Sequence, residues 1–157
     1  MQLAVKNSKV FQFADDTNLL CINTDLKELR NHVNADLAIL FDWLCANRLS
    51  LNVDKTEFVI FRPPRSKRRD RITLNLNRRK IFESSKIKYL GAILDPNLSW
   101  KHHFFELRKK LNKAVGMIYK LRNLKCDVTV LKSIYYSLFH SQASYGLSAW
   151  GASDSNL

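Results

Sequence analysis

The stretch VFQFADDTNLLCIN, residues 10–23, decides the fold: two apolar, β-forming arms at 10–13 and 19–22 flank the polar tetrapeptide DDTN. Asp and Asn favour a turn and the bulky arms favour strands, so the segment predicts a β-hairpin with Asp15 and Asp16 at its tip. Adjacent carboxylates repel one another unless a cation lies between them. Such a pair on paired strands suits a magnesium site for phosphoryl chemistry, because Mg²⁺ prefers carboxylate oxygen and keeps positions free for phosphates. That chemistry needs a third carboxylate. Fourteen residues precede Asp15 and none is acidic, so the third acid is expected outside this sequence. Taken bare, an Asp-Asp pair is also an ordinary polar turn.

Downstream of the hairpin, Asp25 with Glu28 three residues on forms a capping-box pattern, and Leu26, Leu29, Val33, Leu37, Leu40 and Leu44 recur at steps of three and four. This spacing predicts a long amphipathic helix over about 26–47. Thr56, Phe58, Val59, Ile60 and Phe61 predict a strand over 56–62, stopped by Pro63 and Pro64. ITLNLN and RRKIFES predict a two-stranded ribbon, and KIKYLGAILD one further strand ended by Asp95 and Pro96. From Ser99 the register turns helical, with Phe104, Leu107, Leu111, Ala114, Ile118 and Leu121 on one face. Asp127 is placed to cap another helix, with Leu131, Ile134, Tyr135 and Leu138 expected to face inward. The reading is an α+β portion over 1–95 followed by a helical portion over 96–157.

Composition narrows the class of partner. Twenty-six Lys and Arg against fourteen Asp and Glu give a net charge of +12, which favours a polyanion such as nucleic acid over an anionic membrane surface. The N-terminus lacks the apolar core and cleavage site of a signal peptide, and no apolar run reaches the roughly 18 residues of a membrane span. An intracellular chain, in nucleus or cytoplasm, is expected. Cys21, Cys45 and Cys126 are odd in number, widely spaced and outside any C-x-x-C pattern, so they read as buried thiols rather than a disulfide or zinc framework.

Several short motifs then fall in a recognisable order: FADD between apolar strands, a capped helix, Asn52-x-x-Lys55-Thr56, Lys88-Tyr89-Leu90-Gly91, and Trp100-x-x-His103 opening a helix. In this order the chain resembles the reverse transcriptase of LINE-type, non-LTR retrotransposons, particularly jockey-like elements. The resemblance implies a partial polymerase palm over 1–95, made of hairpin, long helix and antiparallel strands, with a helical thumb over 96–157. It implies Asp15 and Asp16 as catalytic, metal-holding carboxylates for Mg²⁺, two ions in an intact enzyme, with Phe13 the aromatic residue before them. Lys55 would lie near the incoming deoxynucleotide's phosphates as charge stabiliser or proton donor, beside its plainer reading as a solvated lysine at a strand start. Tyr89, Leu90 and Gly91 would form the primer-grip strand, where glycine permits close approach of a nucleic-acid backbone; the plainer reading is a core strand with a kink. Trp100 and His103 match the thumb's start, and Tyr145, Gly146 and Trp150 its end. His102 and His103 make a poor metal site, since helix neighbours point about 100° apart and no spaced ligand joins them, so capping or packing is expected.

Two basic surfaces accompany these motifs. Arg62, Arg65, Lys67, Arg68, Arg69 and Arg71, extended by Arg78, Arg79 and Lys80, could contact phosphate, serve nuclear import, or be a solvated loop. Lys101, Arg108, Lys109, Lys113 and Lys120 form the outer face of the thumb-like helix, for contact or for solubility. On the resemblance, the partners are an RNA template with a DNA primer, or an RNA–DNA hybrid. The fingers, the first palm aspartate and the endonuclease would lie before Met1. Two carboxylates alone do not clamp both ions of a two-metal mechanism, so no autonomous polymerisation is expected. Three readings stay open: a polymerase fragment, a module that grips RNA or hybrid without chemistry, and a remnant without function.

Overall fold

A computed structural model describes residues 5–63 and 70–151. The described residues fall into two compact units, one drawn from Met1–Ile60 and Arg65–Ser84, the other from Phe61–Pro64 and Ser85–Leu157. The architecture is α+β with small antiparallel strand pairs. The second unit takes in the strands that precede Asp95, of which Ala92–Leu94 packs on the helix that follows.

In the first unit, β1 (Ser8–Phe13) and β2 (Asp16–Cys21) form the expected hairpin, with Val10 opposite Leu19 and Phe13 opposite Asp16. Its turn is tighter than the sequence suggests. Ala14 and Asp15 alone connect the strands, with Ala14 at φ 51°, so Asp16 and Thr17 belong to β2 rather than to the loop. Helix α1 (Leu26–Ala46) starts at Asp25, whose side chain accepts from the backbone N–H of Lys27 and Glu28. The capping box is rearranged, since Glu28 accepts from the Asn23 amide and Asn23 Oδ1 takes the Asp25 N–H.

Asn52 caps a short 3₁₀ turn, Val53–Lys55, after which the predicted strand over 56–62 is reduced to a single bridge between Phe58 and Glu83. The β-formers of that segment pack without a ladder, for Phe58 lies against the core. Strands β3 (Thr73–Leu76) and β4 (Arg79–Phe82) form the expected ribbon, turned by Asn77 and Arg78 at φ 45° and 63°. Positive φ at both central residues is the two-residue hairpin turn whose twist matches paired strands. Leu74, Leu76 and Ile81 face Leu37 of α1, and this four-residue core is the heart of the unit.

The second unit begins with a correction. KIKYLGAILD is two strands, β5 (Ile87–Tyr89) and β6 (Ala92–Leu94), because Leu90 and Gly91 both take positive φ, 45° and 85°, and reverse the chain. Asp95 receives the N–H groups of Asn97 and Ser99 and the Ser99 hydroxyl, which shapes the entry to α2 (Lys101–Asn123). Phe104, Leu107, Leu111, Ala114, Ile118 and Leu121 are the inward face of α2, as their spacing predicts. Asp127 caps α3 (Val128–Ile134) through the Thr129 N–H. The helix then widens to π geometry over Tyr135–His140; Leu131, Ile134 and Leu138 are half-buried as expected, whereas Tyr135 is exposed. Short helices α4 (Ser141–Ser144) and α5 (Leu147–Trp150) complete the unit. All three thiols are free, Cys45 exposed and Cys21 and Cys126 half-buried.

One polar group organises the first unit. Asp36, on the apolar face of α1, is 0% exposed and gathers the chain just before the hairpin: it accepts from the Lys6 N–H at 3.1 Å, the Asn7 N–H at 3.1 Å, the Asn7 amide at 3.1 Å and the Ser8 hydroxyl at 2.7 Å. Burial opposes its ionisation, but the bonds from Ser8, Lys6 and Asn7 outweigh burial and hold the carboxyl below the usual carboxylate value. A carboxylate so depressed contributes stability that is present above its unfolded pKa and lost as pH falls through the folded one. We expect Asp36→Ala to lower unfolding free energy by about 2–4 kcal/mol, since several donors lose a charged acceptor. Asp36→Asn should narrow the stability difference between pH 7 and pH 3 relative to the native chain. Urea unfolding at the two pH values checks both expectations; an unchanged midpoint in the Ala variant would show the carboxylate to be incidental.

Candidate nucleic-acid and carboxylate site

Asp15 and Asp16 both stand exposed at the closed end of the β1–β2 hairpin. Directly opposed residues of antiparallel strands share a face, so Asp16 shares one with Phe13, Phe11 and Leu20. That face turns outward: Phe11, Phe13 and Leu20 are 46%, 64% and 40% exposed. The opposite face, with Val10 and Leu19, is turned inward, Leu19 packing against the core of the unit. The hairpin therefore holds its acids at the rim of an apolar surface, where a carboxylate has few neighbours competing for a cation.

Whether this donor set fits Mg²⁺ is a matter of counting ligands. Among the described residues no group of three or more His, Cys, Asp or Glu side chains comes together. Two adjacent carboxylates can share one hydrated Mg²⁺, which keeps most of its waters. They do not clamp the attacking and leaving oxygens through two ions.

Asn52, Lys55 and Thr56 are brought together locally. Asn52 Oδ1 accepts the Lys55 N–H at 3.2 Å, the Thr56 hydroxyl donates to the Asn52 carbonyl at 3.0 Å, and the Lys55 ammonium is left exposed. The Asn-x-x-Lys-Thr spacing is thus the signature of one capped turn that presents a lysine. Beside it, Asp54 pairs with Arg79 at 3.0 Å; both side chains are well exposed, so the pair is worth little in stability but occupies one cation of the basic ribbon. Arg78 lines a groove of about 300 Å³ with Asn34, Asp42 and Asn75. Arg65, Lys67, Arg68 and Arg69 lie outside the described residues.

The remaining motif residues meet in the second unit. The Tyr145 hydroxyl donates to the Leu90 carbonyl, and the Tyr145 ring lies beside Gly91, 3.4 Å from an ideal Cβ, at van der Waals contact. His103 is 7% exposed and packs among Trp100, Phe104 and Trp150 at ring-centroid distances of 6.0, 6.3 and 5.8 Å. The expected packing role for His103 is realised, and Trp100 takes the cap position of α2 with φ 60° and no side-chain cap bond. Burial first, and then the charge of Lys110, push the imidazole below its ordinary pKa. On the outer face of α2, Lys109 bonds Glu106 at 3.0 Å and lies over the Phe105 ring at 4.2 Å, while Lys113 is exposed.

Two polar residues escaped the sequence reading, buried Asp36 and half-buried Gln142. Asp36 falls three residues after Val33 and four before Leu40, so an acid on an apolar stripe was the available signal. Gln142 has no comparable periodic marker. The chain matches no protein-family model, no curated protein and no solved structure.

Gly91 supplies the test of this assembly. Alanine there must adopt a left-handed backbone, so Gly91→Ala should cost about 1–2 kcal/mol, with Gly91→Asn milder because Asn tolerates that region. Thermal unfolding followed through tryptophan fluorescence, which reports on Trp100 and Trp150, gives the measurement. Equal midpoints for Gly91→Ala and the native chain would contradict the turn.

Proposed function

We propose that this chain is the C-terminal palm and thumb portion of an RNA-directed DNA polymerase of the non-LTR, LINE-type class, and that by itself it grips nucleic acid without extending a primer. The observation that carries the reading is the two-residue hairpin with Asp15 and Asp16 at its apex, one strand face packed toward a capped helix. The order of Asn52, Lys55 and Thr56, then Tyr89 to Gly91, then Trp100 and His103, supports the same family. Net charge of +12 supports a polyanionic partner, an RNA template with a DNA primer or a hybrid duplex.

On this reading Asp15 and Asp16 would hold Mg²⁺ together with a carboxylate from another segment, and the ions would stabilise charge on the transferred phosphoryl group. Lys55, exposed on its capped turn, would supply positive charge to the nucleotide's phosphates. The second reading, a binding module without chemistry, draws on the ligand count, because the described residues present two carboxylates and no third.

Purified protein, given Mg²⁺, four deoxynucleotides and a DNA primer on an RNA template, is expected to give no extension. It is expected to retain the primer–template on a filter at low salt and to release it steeply as salt rises, equally in the native chain and in Asp15→Ala. Extension that Asp15→Ala abolishes would defeat the binding-only reading. Absence of retention at low salt would defeat both.

A further inference from the structure

The first unit holds a groove of about 300 Å³ between α1 and the β3–β4 hairpin. Asn34, Ala38, Phe41 and Asp42 line it from α1 at helical spacing, and Asn75 and Arg78 line it from the hairpin. The two walls are tied together, since Asn34 Oδ1 accepts the Asn75 N–H at 2.8 Å. Phe41 is half-buried: part of its surface packs on the core of the unit, and it also lines the groove. Ala38, three residues before it, adds little bulk. The groove therefore has an anchored aromatic surface.

The charges on the two walls are opposite and unpaired. Asp42 and Arg78 are both exposed, and within the described residues neither side chain makes an ion pair or a hydrogen bond, with the other or with anything else. Opposite charges on two walls beside an aromatic ring suit a planar group that accepts hydrogen bonds on one edge and donates them from another. Among the nucleobases, guanine has two adjacent acceptors, N7 and O6, on one edge and two adjacent donors, the N1 and N2 hydrogens, on the next. A guanidinium bonds the first edge with its fork, and a carboxylate, which only accepts, takes the second. Adenine carries a donor in place of O6 and an acceptor in place of the N1 hydrogen, so it mismatches both walls.

We propose that this groove binds a guanine base, with Arg78 on N7 and O6, Asp42 on the N1 and N2 hydrogens, and Phe41 against the ring. For a base in a strand the inference rests on the nucleic-acid reading above, and it adds base choice to a partner otherwise held by charge. Only an unpaired base can enter, because pairing occupies the edge that Asp42 takes; splayed bases held on aromatic rings and read along two edges are a general mode of single-strand recognition. A free guanine nucleotide makes the same contacts.

GMP and AMP carry the same phosphate, so titrating each into the full chain separates base choice from charge. NMR signals of the Arg78 Nε–H and the Phe41 ring give the readout. GMP is expected to bind about tenfold more tightly, the scale of one bidentate base contact. IMP, which lacks the N2 amine, should fall between the two. Asp42→Ala should abolish the preference while AMP affinity stays unchanged, and Arg78→Gln should weaken GMP more than AMP. An oligo(U) strand with one central guanosine, set against the all-uridine strand at low salt, tells the two sources apart. Tighter binding of the first identifies the ligand as a base in a strand, and equal binding with the GMP preference intact identifies a free nucleotide. GMP and AMP bound alike, unmoved Arg78 and Phe41 signals, or a preference that survives Asp42→Ala overturns the guanine site, and salt-dependent retention of both strands then leaves the nucleic-acid reading standing. A GMP preference in a chain that retains neither strand means the reverse: the groove keeps its ligand and the nucleic-acid reading falls.

Discussion

The first unit depends on a charge taken out of water. Asp36 lies on the inward face of α1 among Val33, Leu37 and Leu40, and an unpaired carboxylate there would be very costly. Its acceptor capacity is met by two backbone N–H groups, an amide and a hydroxyl, all from the three residues leading into β1. These donors come from a segment that would otherwise be a loose lead-in. The clamp sets where β1 begins on the helix, and with a strand period of two it also sets which hairpin face packs inward. A slip by one residue would bury Phe11 and Phe13 and expose Val10. Asp15 and Asp16 at the far end of the hairpin inherit their placement from that register.

The second unit uses a different device for the same end. Leu90 and Gly91 make a turn in which both residues take a left-handed backbone, and the Tyr145 ring lies in van der Waals reach of the position a Gly91 side chain would take. Sequence neighbours of Tyr145 carry the contact further, because the Trp150 indole N–H donates to the Tyr145 carbonyl and its ring packs on His103 and Phe104. Residues near 90, 100 and 150 are thereby joined by one chain of contacts. In the proposed reading the aromatic motif residues owe their positions to packing.

Much of this was legible in the sequence where local chemistry decides structure. The hairpin, the α1 and α2 faces, and the caps at Asp25 and Asp127 follow from residue spacing and from side chains that satisfy free N–H groups. What was illegible depends on contacts between distant residues. KIKYLGAILD reads as one strand because Leu90 is an ordinary apolar residue whose left-handed backbone is imposed by the hairpin it joins. The segment 56–62 has β-formers but no neighbouring ladder, so burial of Phe58 wins over strand pairing. Tyr135 reads as inward on a 3.6-residue period but is exposed, while Ile134 and Leu138 keep that face. Of the candidate site, Asp15 and Asp16 stood out, whereas the bond from Tyr145 to the Leu90 carbonyl, fifty-five positions away, required the fold.

Binding and chemistry place unequal demands on such a chain. Retention of a phosphate backbone sums many weak, screened attractions, and no single cation must be placed closely for the sum to hold. That Arg79 is engaged by Asp54 and Lys109 by Glu106 leaves the net charge of +12 unchanged, because that value already counts both acids. Phosphoryl transfer is the opposite case, since its catalysis comes from groups positioned within a fraction of an ångström of where charge develops. Two carboxylates on one hairpin can attract a hydrated cation but cannot orient two of them against a third oxygen ligand that the described residues lack. On the proposed reading, the same physical difference lets the basic surfaces keep their affinity while Asp15 and Asp16 require a further carboxylate to act.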